Sequence, residues 1–209
     1  GKILKNDEAA WIEDYDCAAT KVSAFCKKWD CLFACGSIAT GTNIYKLSGE
    51  AWSLFAAISA IRDAYPMISG VGILCGDYIF VGGKNASAEG HVWHIDEDAN
   101  ATQDSDIVMG TGVLALSMLN DNLKLYAGAN NGKIYLRYGA SAWAENYNTG
   151  EAKVQSLFKL PSDGTLYAGT GDNGKFFVLS TPISGWALDK DLTDACIYAG
   201  ETFLNQHFI

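Results

Sequence analysis

The chain has 209 residues, 49% of them apolar, and its 15 basic and 24 acidic residues give a net charge of −9. This length and apolar content fit one domain with a well-buried core. The negative charge opposes binding to nucleic-acid backbones and anionic membranes. No apolar run reaches the roughly eighteen residues needed to cross a bilayer. We expect a soluble monomer without nucleic-acid or membrane partners.

A sequence repeat of short apolar strands runs along the chain and is clearest at residues 125–143 and 166–186. Three segments of the repeat align the copies with one another, and we call them anchors. The first anchor is a strand whose third residue is small. These first anchors are Val22-Ser23-Ala24, Ile68-Ser69-Gly70, Val113-Leu114-Ala115, Val154-Gln155-Ser156 and Ile197-Tyr198-Ala199. A period above about forty residues with several short strands in each copy indicates a propeller rather than a helical solenoid.

Two further anchors follow the first one in each copy. The second is an apolar run ending near Gly, at residues 32–36, 79–83, 125–129 and 166–170, and it stops at Phe208-Ile209. The third starts near Gly-Lys at residues 1, 90, 132 and 174, with a looser copy at 44 and 45. A tryptophan follows the third anchor in four copies, as Trp11, Trp52, Trp143 and Trp186, and Thr102 takes that place in the remaining one.

With these anchors the chain resembles β-propeller repeat proteins over nearly its whole length. The anchor count predicts one all-β domain, a five-bladed β-propeller with four antiparallel strands per blade. The predicted blades are residues 18–53, 66–102, 111–144, 152–187, and 195–209 together with 1–17. The last blade is therefore shared between the N- and C-termini, which would remove the open sheet edges of an unclosed ring.

The connection at residues 53–67 is longer than its equivalents. Phe55, Ile58 and Ile61 are spaced as on one face of a helix, so we expect a short helical turn there.

Turns between the second and third strands hold the candidate ligand-binding residues. Asn and Asp beside Gly are what such turns require, because these residues tolerate positive φ. The nearest functional analogy, with lectin-like five-bladed propellers, implies that the same amides and neighbouring aromatic rings could hold sugars. The candidates are Asn85, His91, Asn130, Asn131, Asp172 and Asn173.

Catalytic and metal sites have weaker support. Propeller glycoside hydrolases would need three carboxylates near the axis. Glu201, Asp63 and Arg62 could approach the axial rim, but no three-carboxylate set is evident. The acidic run 96–98, with Asp104 and Asp106, lacks the regular spacing of a calcium loop, and the three histidines lack zinc-ligand spacing. We therefore expect neither a cofactor nor a metal and favour a non-catalytic protein.

Cysteines and acidic residues bear on compartment and partners. The cysteines at 17, 26, 31, 35, 75 and 196 follow no framework spacing, and only Cys26 and Cys31 could pair across a turn. This pattern favours a reducing compartment, and residues 1–20 contain no apolar signal-peptide core. Acidic residues of the connections between copies predict an acidic face that could bind a protein partner. They are Glu13, Asp14, Asp16, Asp104, Asp106, Glu145, Glu151, Asp189, Asp191 and Asp194.

Three functions thus remain from the sequence, because a propeller can serve any of them. The favoured one is a non-catalytic propeller that binds a carbohydrate or other small ligand at repeated interblade or loop sites. A protein-interaction or particle-structural scaffold is the alternative, and a glycoside hydrolase-like enzyme comes third.

Overall fold

The computed structural model describes residues 1–6, 11–69, 77–118, 123–159, 164–171, 173–181, 185–192, 201–203 and 206–208. These residues form twenty β-strands. None of the described residues belongs to a helix that is long and apolar enough to cross a membrane.

The strands are short and follow one another closely. The N-terminal hairpin contains β1 (Lys2–Asn6) and β2 (Trp11–Asp16). Blade 1 contains β3 (Lys21–Lys28), β4 (Cys31–Ile38), β5 (Gly41–Ser48) and β6 (Ala51–Ile58). Blade 2 contains β7 (Asp63–Ser69), β8 (Ile79–Lys84), β9 (Gly90–Ile95) and β10 (Ala101–Gln103).

Blade 3 contains β11 (Val113–Met118), β12 (Lys124–Ala129), β13 (Lys133–Tyr138) and β14 (Ala144–Asn148). Blade 4 contains β15 (Val154–Lys159), β16 (Leu166–Thr170), β17 (Lys175–Thr181) and β18 (Gly185–Asp191). The C-terminal hairpin contains β19 (Glu201–Phe203) and β20 (Gln206–Phe208).

The architecture is the five-bladed, all-β propeller that the sequence predicts. In each complete blade the four strands pair antiparallel in chain order. The first strands β3, β7, β11 and β15 contact one another from blade to blade, which identifies them as the innermost strands. Each chain end supplies a two-stranded hairpin, β1–β2 and β19–β20, and the two hairpins together have the number of strands that a fifth blade needs. Pairing of one terminal hairpin with the other is not among the described strand pairs and stays a prediction.

The core lies between blades rather than inside any one sheet. Phe33 and Ile44 of blade 1 pack on Met67, Ile79 and Trp93 of blade 2. Similar clusters join blade 2 to blade 3 and blade 3 to blade 4, and Ile3 of the N-terminal hairpin packs on Ala34 and Tyr45 of blade 1. Face-to-face stacking of this kind buries one apolar face of each sheet against the next.

A β-bulge recurs in every described first strand, and it corrects the repeat alignment in blade 2. In β3, β11 and β15 the bulge follows Val22, Val113 and Val154, two residues before the small anchor residue. In β7 the equivalent bulge lies between Ala64 and Met67. The first anchor of the second unit is therefore Ala64-Tyr65-Pro66, and the predicted anchor Ile68-Ser69-Gly70 is four residues too late. The anchor of the fifth unit, residues 197–199, lies outside the described residues.

The helical turn expected within residues 53–67 is wrong. Residues 51–58 form strand β6, and β7 begins at Asp63 after a short turn. A second recurring bulge causes the error: Ile44 pairs with Ala56 and Tyr45 with Leu54, so Phe55 is an extra residue in β6. An extra residue turns the two-residue alternation of a strand into a three-residue spacing, which a sequence pattern cannot distinguish from that of a helix.

Tryptophans of the outermost strands hold neighbouring blades together. The indole Nε1 of Trp52 donates to Asp14 Oδ2 at 2.6 Å, and that of Trp186 donates to Asn146 Oδ1 at 2.8 Å. Asp14 and Asn146 are each the extra residue of a bulge in the outermost strand of the preceding blade. Trp143 Nε1 donates to Asp104 Oδ2 at 2.8 Å, at the end of blade 2. Each of these three tryptophans therefore links two neighbouring blades by a hydrogen bond.

The described cysteines are thiols. Cys17, Cys26, Cys31 and Cys35 are free, so Cys26 and Cys31 do not pair in this structure. Burial raises the pKa of the Cys26 and Cys35 thiols to about 12, which leaves both protonated and poorly reactive near neutral pH. The cysteines at positions 75 and 196 lie outside the described residues.

Candidate functional site

Most of the sequence-predicted ligand residues lie at one end of the blades, where the first strands begin. We call this end the connection face, because the connections between blades and the turns between second and third strands meet there. Backbone hydrogen bonds join the two sets of segments, among them Arg62 N–H to Lys84 O and Asn130 N–H to Gly112 O. The connection face is thus a backbone framework on which side chains are presented.

Asn85 and His91, both predicted ligand residues, serve the turn that contains them. Asn85 Oδ1 accepts from the backbone N–H groups of Ser87 and Glu89, each at 2.9 Å, and Asn85 Nδ2 donates to Glu89 Oε2. His91 is buried, with Nδ1 3.0 Å from Ser105 Oγ. Both side chains therefore have partners within the protein.

Asn130, Asn131 and Asn173 also bond within the protein. Asn130 Oδ1 accepts from Thr111 N–H at 2.8 Å, and Asn130 Nδ2 donates to Thr111 Oγ1 at 2.5 Å. Asn131 Nδ2 donates to the Tyr135 hydroxyl at 2.9 Å. Asn173 Nδ2 donates to Glu151 Oε2 at 2.5 Å. Asp172 lies outside the described residues.

Side chains of blades 1 and 2 converge where the innermost strands begin. We call this group the axial mouth: Lys21 and Ser37 of blade 1, and Asp63, Tyr65 and Lys84 of blade 2. Lys21 and Asp63 occupy the same register position, one residue before Val22 and Ala64, whose partners Gly36 and Gly83 are equivalent. Tyr65 lies in the bulge of β7. Bulges often redirect a side chain at functional sites.

Asp63 is the centre of the axial mouth. Its Oδ1 accepts from Lys21 Nζ at 2.6 Å and from Ser37 Oγ at 3.3 Å. Its Oδ2 accepts from the Tyr65 hydroxyl at 3.0 Å and lies 3.4 Å from Lys84 Nζ. Lys21 Nζ also lies 4.5 Å from the centre of the Tyr65 ring, in a cation–π contact. Four donors fill the hydrogen-bonding capacity of this carboxylate.

Both titratable partners in this contact have fixed protonation states near neutral pH. Burial raises the pKa of the Asp63 carboxyl, but Lys21, Tyr65 and Lys84 outweigh that effect and hold the pKa below its usual value. Burial and the adjacent Asp63 carboxylate raise the pKa of Tyr65 to about 12. Asp63 is therefore an anion and Tyr65 a neutral phenol, and neither is poised to exchange a proton.

Blade 3 supplies the neighbouring wall. A Cβ placed on Gly112 would lie 3.4 Å from Cε2 of Tyr65 and 3.7 Å from Nδ2 of Asn130. Gly112 precedes the innermost strand β11, and both groups lie within 4 Å of the position that its side chain would take. Of the predicted ligand-binding residues that the structure describes, Asn130 is the one that lies beside the axial mouth.

Two of the three proposed catalytic residues lie beside each other. Asp63 lies in the axial mouth, and Arg62 is exposed beside it. Glu201 is on β19, where side chains lie outside the described set. The sequence did not indicate Lys21, Tyr65 or Lys84 as site residues. The misplaced first anchor of blade 2 put Tyr65 outside the predicted innermost strand.

The acidic residues considered for calcium have separate partners. Asp96 accepts from Asn100 within its own turn. Asp104 Oδ1 pairs with Arg137 Nη1 at 2.5 Å and with His94 Nδ1 at 3.0 Å. Asp106 accepts from Trp143 N–H at 3.3 Å. In the part of the chain that the structure describes, no three His, Cys, Asp or Glu residues gather as metal ligands.

Many carboxylates predicted to form an acidic face are paired with cations. Lys2 pairs with Glu13, Lys5 with Asp14, Lys133 with Glu145 and Lys175 with Glu151, at 2.5 to 3.0 Å. These pairs reduce the negative field that the sequence suggests for this face. Asp194 lies outside the described residues.

Comparison with known proteins supports the fold alone. No protein-family model and no curated protein matches the chain. A solved structure from Thermus thermophilus, described as a "putative oxidoreductase (glucose dehydrogenase)", is similar with a TM-score of 0.54 and 12% identity, over 82% of this chain and 67% of that one. A protein of unknown function from Bacteroides thetaiotaomicron has a TM-score of 0.56 and 8% identity, over 80% of this chain and 42% of its own length.

Proposed function

We propose that this protein is a non-catalytic binding propeller that holds a carbohydrate or another small polar ligand at the axial mouth. The observation that carries the proposal is the convergence of three blades on the Tyr65 ring, with Lys21 over its face and Gly112 at its edge. Small-ligand sites commonly combine an apolar surface with a few oriented polar groups. The ring would pack against the C–H face of a sugar, and the polar side chains would bond its oxygens.

The location differs from the interblade turns that the sequence favoured. The amides of Asn85, Asn131 and Asn173 would have to give up bonds within the protein before they could hold a sugar. At the axial mouth the half-buried Tyr65 ring and the partly exposed ammonium groups are already in position. A single site on the axis is therefore better supported than repeated sites around the ring.

Protonation states favour binding over hydrolysis. General acid catalysis by a carboxyl requires a pKa near the working pH. At Asp63 and Asp104, hydrogen bonds and nearby cations outweigh the opposing effect of burial and lower the pKa. At Glu151 the hydrogen bond from Lys175 lowers the pKa. These groups stay ionised at neutral pH, so none of the three is suited to be the general acid of a glycoside hydrolase.

A protein-interaction scaffold remains the alternative function. Its support was the acidic connection face, and the ion pairs described above leave that face less negative than the sequence suggests. Stable co-purification with one basic partner, lost when Glu13 and Glu145 are changed to Gln, would favour this alternative.

The test is glycan binding by the purified protein, first on an array and then by titration calorimetry. We expect Tyr65→Ala to weaken binding at least about tenfold, since a stacked ring contributes on the order of 1.4 kcal/mol. Tyr65→Phe should retain most of the affinity because it keeps the ring. Tyr138→Ala removes an exposed tyrosine at the other end of blade 3 and should have no effect. Silence on the array, or full affinity in Tyr65→Ala, would contradict the proposal.

A further inference from the structure

We infer that the ligand of the axial mouth is an acidic saccharide, and that Lys21 and Lys84 bind its carboxylate. This inference rests on the proposed function and adds the chemical class of the ligand. It follows from which hydrogen-bonding groups of the axial mouth already have partners and which have capacity left.

Among the described side chains of the axial mouth, the carboxylate acceptors already have partners. Asp63 is contacted by Lys21, Ser37, Tyr65 and Lys84. Nearby, Asn130 Oδ1 accepts a hydrogen bond from Thr111 N–H at 2.8 Å. A ligand hydroxyl that needs an acceptor would therefore compete with bonds already formed.

Donor capacity remains. An ammonium group has three N–H donors, and the contacts of Lys21 and Lys84 with Asp63 use one from each. Their side chains are 41% and 34% exposed, so part of each lysine is accessible to a ligand. Tyr65 adds ring surface, since its hydroxyl proton is directed at Asp63. The site can thus satisfy acceptors, and charged acceptors best, because charge-assisted hydrogen bonds are about twice as strong as neutral ones.

Charge at the axial mouth runs against that of the whole chain. The protein carries −9 overall, but the mouth has two lysines and one aspartate. A local positive region at the mouth of a negative molecule attracts an anion and draws it toward the axis. The Tyr65 ring can pack against a sugar ring, and the lysines can bind a carboxylate. Together these groups fit a uronic acid.

The experiment compares saccharides that differ only in charge. The probes are oligosaccharides of polygalacturonate, alginate and hyaluronan, each beside its carboxyl-reduced counterpart, titrated calorimetrically at low salt. We expect at least one acid to bind about tenfold or more tighter than its reduced form. Binding should weaken at 0.5 M NaCl, as screening predicts.

Variants then locate the carboxylate. Lys21→Met and Lys84→Met should each weaken binding of the acid about tenfold more than they weaken binding of the reduced form. Lys21→Arg should retain binding because it keeps the charge. Lys133→Met is the matched control: Lys133 is 33% exposed and pairs with one carboxylate on the outer strands, so the variant should bind normally.

Each outcome separates the inference from the proposed function. If only neutral saccharides bind, or if the reduced forms bind as tightly as the acids, the inference fails and the carbohydrate-binding function stands. If no saccharide binds, both fail. If sodium acetate competes at the same concentration as the oligosaccharide, the site holds simple anions and the saccharide assignment is wrong.

Discussion

At the scale of single residues, Asp104 shows how this fold uses buried charge. Its side chain is 5% exposed and contacts Arg137 and His94 through one oxygen and Trp143 through the other. These groups come from blades 2 and 3, so one carboxylate links the two blades. A buried charge of this kind is tolerated only when its partners are complete.

We therefore expect Asp104→Ala to lower the free energy of unfolding by about 3 kcal/mol, because it leaves the Arg137 guanidinium and the Trp143 N–H without their acceptor. Urea denaturation measures the change. Glu13→Ala, which breaks an exposed pair with Lys2, is the control and should have a much smaller effect. Equal effects of the two substitutions would show that the buried contacts carry no special weight.

At the scale of strands and turns, the sequence predicted the parts of the fold that depend on strand alternation and turn chemistry. Trp143 and Trp186 were placed correctly as repeat positions, and the strand count of the complete blades is right. The alignment failed at Ala64-Tyr65-Pro66, where a bulge contains a large residue and a proline instead of a small one. Bulges add one residue without a composition signal of their own, so the sequence could not place Tyr65 or reveal the axial mouth around it.

The bulges of the outermost strands also explain the tryptophan repeat. Trp186 bonds to Asn146, the extra residue of the preceding blade's bulge. In blade 1 the extra residue is Phe55, which cannot accept a hydrogen bond. In the next blade the strand register places Ala101 at the tryptophan position, one residue before the predicted Thr102, and its side chain cannot donate one. Donor and acceptor are thus present together or absent together.

A double-mutant cycle tests the hydrogen bond between Trp186 and Asn146. We expect Trp186→Phe and Asn146→Ala to show a coupling energy of about 0.5 to 1.5 kcal/mol in urea unfolding, the usual contribution of one hydrogen bond. The same cycle with Trp186→Phe and exposed Asn148→Ala should show none. Additive effects of the first pair would mean that tryptophan is retained only for its bulk.

Gly132 marks a turn where a side chain has no room. It has φ of 72°, and an added Cβ would lie 1.7 Å from the carbonyl oxygen of Glu151. Gly49 has a similar φ of 64° with nothing within 4 Å. We expect Gly49→Ala to cost about 1 kcal/mol and Gly132→Ala at least about 2 kcal/mol more, by thermal unfolding. Equal costs would contradict the close approach of the two segments.

At the scale of the whole molecule, the exposed side chains of blade 1 indicate where the ring closes. Residues that face the preceding blade are buried in blades 2 and 3, where Met67 is 4% and Leu116 5% exposed. Their equivalent in blade 1, Phe25, is 49% exposed. Leu32 is 37% exposed, whereas its equivalents Ile79, Leu125 and Leu166 are at most 1% exposed. Blade 1 thus presents an apolar face of the kind that a preceding blade covers elsewhere.

The strand register of the terminal hairpins predicts which strands cover this apolar face of blade 1. Glu201 pairs with Phe208 as Cys26 pairs with Phe33, which places Phe208 at the aromatic position of a second strand. The bulge of β2 lies opposite Ile3 and Leu4, and the bulge of β6 lies opposite Ile44 and Tyr45, which makes Lys5 equivalent to Lys46. Because Phe33 pairs with Lys46, we expect Phe208 to lie opposite Lys5 in the closed fifth blade.

The most direct measurement of closure is the set of cross-strand nuclear Overhauser effects in the isotope-labelled protein. The account predicts contacts between backbone protons of Phe208 and Lys5, beside those between Lys5 and Ile12 that the N-terminal hairpin already requires. Observation of the Lys5–Ile12 contacts with none between β20 and β1 would show that the two chain ends do not share a blade, and would contradict the five-bladed ring.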